Sequence, residues 1–201
     1  ISLVLSREAL VCSINEVLPK FGLGSWPEVC RLRDGNLSFR DNFPRIFGAE
    51  NAQEAYDDYV DVYRRCAPRM LRKPEYAEDV IHWFKHQGIH VVIVTNKDRR
   101  LWEFELPFMY ETDLFEKVVC GHEAVADKPH PQQLEYAVHG MVDKITPQNV
   151  WMIGDSAMDS RCALAAGATA IRIGKSIWDD DTVTENQNMV FVTDFAELYR
   201  Q

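Results

Sequence analysis

Apolar runs rich in β-branched residues recur along the chain, each ending at a polar loop and followed by a helical pattern, which is how buried parallel strands read. The runs are roughly Ile1 to Leu5, Ile89 to Val94, Lys117 to Cys120, Val150 to Ile153, Ala170 to Ile173 and Met189 to Val192. Between them, amphipathic stretches predict helices over Glu75 to Gln87, with Val80, Ile81 and Phe84 on one face and Gly88 behind it, over Pro131 to Met141, and over Ser156 to Ala166, closed by Gly167. Strand alternating with helix predicts an α/β fold with a doubly wound, Rossmann-like, mostly parallel sheet.

Residues 6 to 74 break that rhythm. They show helical periodicity (Leu10, Ile14, Val17, Leu18, Phe21, then Ala55, Tyr59, Val62, Tyr63) and no convincing strand. The pattern therefore predicts a small α-helical module, residues 6–74, inserted into a core made of residues 1–5 and 75–201. The middle of the module, Arg31 to Phe47, reads as a loop carrying Asp34-Gly35-Asn36, the arginines Arg31, Arg33, Arg40 and Arg45, and three phenylalanines. No internal repeat is present.

Length and composition narrow the picture. A chain of 201 residues can bury one substantial core with a smaller module, and 46% hydrophobic with 26% charged residues is a folding composition rather than a disordered one. A net charge of −9 has the wrong sign for a broad grip on nucleic acid or anionic lipid, so neither is expected as a partner. The five cysteines, Cys12, Cys30, Cys66, Cys120 and Cys162, form no CxxC pair and cannot all pair with one another, which fits a reduced, cytoplasmic setting. The apolar opening before Arg7 and Glu8 is too short for a signal peptide, and no stretch approaches a membrane span.

Three short segments carry the chemistry, each expected at the C-terminal end of a strand. They are Val94-Thr95-Asn96-Lys97, Ala126-Asp127-Lys128-Pro129, and Ile153-Gly154-Asp155-Ser156 followed by Asp159. In an open parallel sheet such ends converge on one crevice, so a hydroxyl, an ammonium and two carboxylates are expected to meet there. That set suits a small phosphorylated substrate and Mg²⁺. Thr95, Asn96 and nearby amides can donate to phosphoryl oxygens, Lys128 supplies a point charge, and Asp155 offers a hard oxygen to the cation. Asp159, in the first turn of the next helix, can hold a metal-bound water or orient Lys128.

In order and spacing, over about residues 75 to 175, these segments resemble the second, third and fourth motifs of the haloacid dehalogenase superfamily. The helical insert resembles the C1-type cap of its phosphoglycolate phosphatase-like branch, with Ser6-Arg7-Glu8-Ala9-Leu10 similar to the start of that cap. The resemblance implies an Mg²⁺-dependent phosphatase working through an aspartyl-phosphate. It implies catalytic roles for Thr95, Lys128 and Asp155, phosphate contacts from Thr95, Asn96 and Lys128, and metal contacts from Asp155 and Asp159. Phosphoglycolate enters as a substrate through resemblance only.

One departure matters. The family's first motif, Asp-x-Asp-Gly-Thr after strand one, supplies nucleophile, general acid and metal contacts, and here Ser6 follows Leu5 directly. Either the chain is truly deleted or degenerate at this point, or its residues are joined across a missing stretch, which the family-like flanks favour. A contiguous chain puts the two Cα atoms about 3.8 Å apart. A real deletion should lower hydrolysis by several powers of ten, leaving a non-catalytic binding or scaffolding protein as the alternative.

Other classes fit less well. A response-regulator receiver places its acidic pair early, whereas here Thr95 precedes Lys128 and Lys128 precedes Asp155. A Rossmann dehydrogenase needs a Gly-x-Gly-x-x-Gly turn after an early strand, and none exists. The superfamily's halide-releasing enzymes need no metal, and the Asp155 and Asp159 pair favours the magnesium phosphatases. His82, His86 and His90 read as a solvated face, Trp102, Phe104, Phe108 and Tyr110 as helix packing, and Asp179-Asp180-Asp181 as an acidic loop.

Overall fold

The computed structural model describes residues 3–175 and 186–200. Asp179 to Asp181 therefore lie outside the described residues. Helices α1 (Arg7–Val17) and α4 (Ala52–Met70) form the frame of the N-terminal third. Their apolar stripes, Ala9, Leu10, Ile14 and Val17 against Ala55, Tyr59, Val62 and Tyr63, are buried together at helical spacing. The sulfurs of Cys12 on α1 and Cys66 on α4 lie 3.2 Å apart as free thiols.

The stretch from Arg31 to Phe47, expected as a loop, is partly helical. Short α2 (Trp26–Val29) precedes it, Cys30–Leu32 and Arg40–Asn42 are 3₁₀ turns, and α3 (Phe43–Phe47) starts with Pro44 in its first turn. Asn42 explains the order. Fully buried, its amide donates to the carbonyls of Asp34, Leu37 and Ser38, and its oxygen accepts from the Asp34 N–H. Phe39 and Phe43 then pack on Tyr56 and Tyr59 with ring centroids 5.0 to 5.7 Å apart.

After this stretch the chain alternates. It runs through α5 (Ala77–His86), β1 (Val92–Val94), α6 (Arg99–Met109), β2 (Lys117–Val119) and α7 (Gln132–Val138). It continues through β3 (Trp151–Gly154), α8 (Ala157–Ala166), β4 (Thr169–Ile173), β5 (Met189–Val192) and α9 (Phe195–Arg200). Every pairing between these strands is parallel, as the alternation predicts. Trp102 and Tyr110 are buried as helix packing, while Phe108 is half exposed, and His82, His86 and His90 are exposed. Among the described residues no helix is long and apolar enough to cross a membrane.

The first predicted strand is the exception. Among the described residues, Leu3 lies in a turn and Leu5 makes an isolated antiparallel bridge to Arg72, with N···O distances of 2.8 and 3.3 Å. Ser6, directly after Leu5 in the sequence, already opens α1 by accepting from the Leu10 N–H. With no loop between the apolar run and the helix, Leu5 is held at Arg72 instead of entering a parallel sheet.

Among the described residues the strands form two sheets, β1-β2 and β3-β4-β5. Backbone groups of Val91 and Thr95 face β2, so those of Val92 and Val94 face the other way; Val150 faces β4, so Trp151 and Ile153 face the other way. Consecutive residues Val91 to Lys97 and Val150 to Ile153 line one cavity of about 540 Å³. Side chains alternate faces along a strand, so a cavity touched by consecutive residues runs along the strand edges. Both open edges border the same space.

Candidate active site

Thr95 is the first residue beyond β1. Its N–H donates to Val119 O at 2.9 Å, its carbonyl accepts from Gln133 Nε2, and its hydroxyl accepts from the Lys97 N–H at 3.1 Å. Asp155 follows β3 directly, and Ser156 then caps α8 through a reciprocal box, with Asp159 Oδ2 accepting from both the N–H and hydroxyl of Ser156. Gly154 is needed here, because a Cβ would stand 2.3 to 2.5 Å from the Asp159 side chain.

Lys128 is not at the end of β2, as expected, but nine residues further along the loop that leaves Val119. The Asn96 side chain brings it back: Nδ2 donates to Lys128 O at 2.8 Å and Oδ1 accepts from the Lys128 N–H at 3.1 Å. Lys128 Nζ then donates to Val94 O at 2.7 Å and to Asp159 Oδ1 at 2.8 Å. Thr95, Lys128, Asp155 and Asp159, from three distant segments, are each 7–8% exposed and line the same cavity. Burial pushes the Asp159 carboxyl up, but the Lys128 charge and the hydrogen bonds from Lys128 and Ser156 outweigh it, holding the group below the usual carboxylate range.

Several polar residues around the pocket escaped the sequence reading. Glu105 is wholly buried on α6, accepting from Tyr63 Oη and paired with Lys97 Nζ. The signal was present: Glu105 sits on the same stripe as Leu101 and Trp102, an apolar position held by a charge. Asp98 caps α6 by accepting from the Arg100 N–H and pairs with both Arg100 and Arg40. Of the four arginines between Arg31 and Arg45, Arg40 alone among the described residues lines the cavity, with Nε and Nη2 buried and without hydrogen-bond partners. A second group, Asp41, His122 and Asp127, lies beside the pocket.

A family model described as haloacid dehalogenase-like hydrolase matches residues 2–173. The phosphoglycolate phosphatase of Haemophilus influenzae is 30% identical, covering 98% of this chain and 92% of that protein. The alignment runs over 209 positions, more than the 201 residues of this chain, so that relative carries residues with no counterpart here. The enzyme of the same name from Mannheimia succiniciproducens is 27% identical over 99% of this chain and 93% of its own. The matches to the Pseudomonas putida and Nitrosococcus oceani proteins of that name span only 43% and 36% of their lengths. Among solved structures, CbbY from Rhodobacter sphaeroides in complex with phosphate superposes with a TM-score of 0.78 at 16% identity, over 98% of this chain and 92% of that one. A putative phosphoglycolate phosphatase from Lactobacillus plantarum gives 0.75 at 19%, over 99% and 93%.

Proposed function

Because the chain belongs to the haloacid dehalogenase-like hydrolases, we propose that its pocket handles the phosphoryl group of a small phosphorylated metabolite, phosphoglycolate-like, together with Mg²⁺. The observation that carries this reading is the convergence of Thr95, Lys128, Asp155 and Asp159 on one buried cavity. Thr95 Oγ1 and the amides after β1 donate to phosphoryl oxygens, and Lys128 neutralises charge while Asp159 and Val94 O aim it. Asn96 acts first by holding the Lys128 backbone. Arg40, reaching in from residues 6–74, which we take as the cap, offers two N–H groups to the anionic remainder of the substrate.

The donor set fits Mg²⁺. Asp155 would hold it through a hard carboxylate oxygen, and Asp159, whose Oδ1 and Oδ2 already accept from Lys128 and Ser156, would reach it through water. Bound there, the cation would supply Lewis-acid stabilisation of charge on the phosphoryl oxygens.

A phosphatase of this family in the full sense needs a carboxylate nucleophile, and here one observation favours the binding-module reading for the chain as it stands. Among the described residues, the aspartates lining the cavity are Asp98, Asp155 and Asp159. Asp98 is paired with Arg40 and Arg100, Asp159 with Lys128, and Asp155 is assigned to the cation. No Asp-x-Asp stands between Leu5 and Ser6. The chain should therefore bind inorganic phosphate with Mg²⁺, release none from phosphoglycolate or p-nitrophenyl phosphate, and gain turnover when Asp-x-Asp-Gly-Thr is inserted after Leu5. Asp155→Asn should abolish the Mg²⁺ dependence of phosphate binding, measured by calorimetry. Turnover by the 201-residue chain, or Mg²⁺-dependent binding that survives Asp155→Asn, would overturn the reading.

A further inference from the structure

The loop after β2 and the 3₁₀ turn Arg40–Asn42 together carry a second set of ligand-bearing side chains, which the phosphate pocket does not use. His122 Nε2 is hydrogen-bonded to Asp41 Oδ1 at 2.8 Å, a contact whose proton a cation would replace, and lies 3.9 Å from Asp127 Oδ2; the three ligand atoms fall within 4.8 Å of one another. Nitrogen and oxygen ligands at about 2.0–2.2 Å from a tetrahedral ion stand about 3.4 Å apart, a spacing the two distances bracket.

Both carboxylates are oriented from behind. Ser38 Oγ donates to Asp41 Oδ2 at 2.7 Å, and the His122 N–H donates to Asp127 Oδ1 at 2.8 Å. Asp127 Oδ2 is left over. It is a buried oxygen with no hydrogen-bond partner among the described residues, on a side chain only 12% exposed, and it faces the space next to His122 Nε2. A buried carboxylate oxygen without a donor is costly, and a cation beside it removes that cost. The adjoining hollow of about 420 Å³, lined by Asp41, His122 and Asp127, leaves room for water ligands. Arg40, with Nε 3.9 Å from Asp41 Oδ1, offsets part of the negative charge and moderates the affinity.

We propose that Asp41, His122 and Asp127 form a site for Zn²⁺ or a similar first-row divalent cation, joining the helical segment to the loop after β2. One imidazole with two carboxylates selects such an ion over Mg²⁺, which prefers an all-oxygen shell. The site is separate from Asp155 and does not depend on the phosphate reading.

The test is a Zn²⁺ titration of the full chain by calorimetry with Mg²⁺ in excess, so that the oxygen site is already filled. Wild type and Asp155→Asn should each bind one equivalent. In His122→Ala, affinity should fall at least about 100-fold, since even groups behind the ligands are worth 10- to 100-fold. His122 has a positive φ of 65°, so His122→Asn, which tolerates that backbone but lacks the imidazole, is run in parallel. Melting without zinc reports whether each variant is folded. Zinc binding that persists in folded His122→Ala and His122→Asn, that disappears in Asp155→Asn, or that is absent from wild type at micromolar concentration overturns the proposal.

Discussion

At Lys128 a buried ammonium meets a buried carboxylate, that of Asp159. Removing one partner of such a pair strands the other, so Lys128→Met should cost about 3–5 kcal/mol by urea unfolding, with much of the loss recovered in the Lys128→Met, Asp159→Asn double variant. The pH response has a definite sign. The Asp159 carboxyl is depressed in the folded state, so its contribution is present above the unfolded value of about 3.9 and is lost as pH falls through the folded value. Thermal melts of wild type should drop on acidification below about pH 4, and Asp159→Asn should flatten that drop. Thr95 and Asp155 were legible because each directly follows a strand, and Asp159 because it lies in the first turn of the next helix, whereas the place of Lys128, nine residues beyond β2, rests on the Asn96 contacts that no strand-end reading displays. The group of Asp41 and His122 was not legible: 81 positions separate them, and no local pattern links them.

At the scale of elements, the parallel strands were legible from β-branched runs, and α8 from its amphipathic stretch and closing Gly167. The order between Arg31 and Phe47 was not, since it rests on the tertiary burial of Asn42 and on aromatic contacts to α4 that sequence spacing does not display. Of the strand expected over Ile1 to Leu5, the described residues make no parallel pairing, since Leu5 bridges Arg72 and Ser6 begins a helix at once. The contact between α1 and α4 brings a prediction of its own. Diamide should oxidise Cys12 and Cys66 to a disulfide, itself reduced to the hydrazine, with a loss of two hydrogens by mass spectrometry of the linked peptides. Reaction should be slow at neutral pH, as the hydrogen bond with Cys66 and then burial raise the Cys12 thiol. Failure of Cys66→Ser to prevent the mass change would refute the pairing.

Taken as a whole molecule, the helical stretch and the strand region share apolar packing. Ile14, Val17 and Tyr63 belong to the same buried cluster as Ile93, Trp102 and Cys120, and the contact of Tyr63, Glu105 and Lys97 joins α4 to α6 and the end of β1. The division of the parallel strands into two sheets has a consequence that can be followed proton by proton. Along β1 and β3, amides bonded to a neighbouring strand alternate with amides turned to the cavity. Deuterium uptake should alternate with them, fast at Val92 and Ile153 and slow at Ile93 and Met152, a period-two protection pattern that would vanish if a further strand filled the seam.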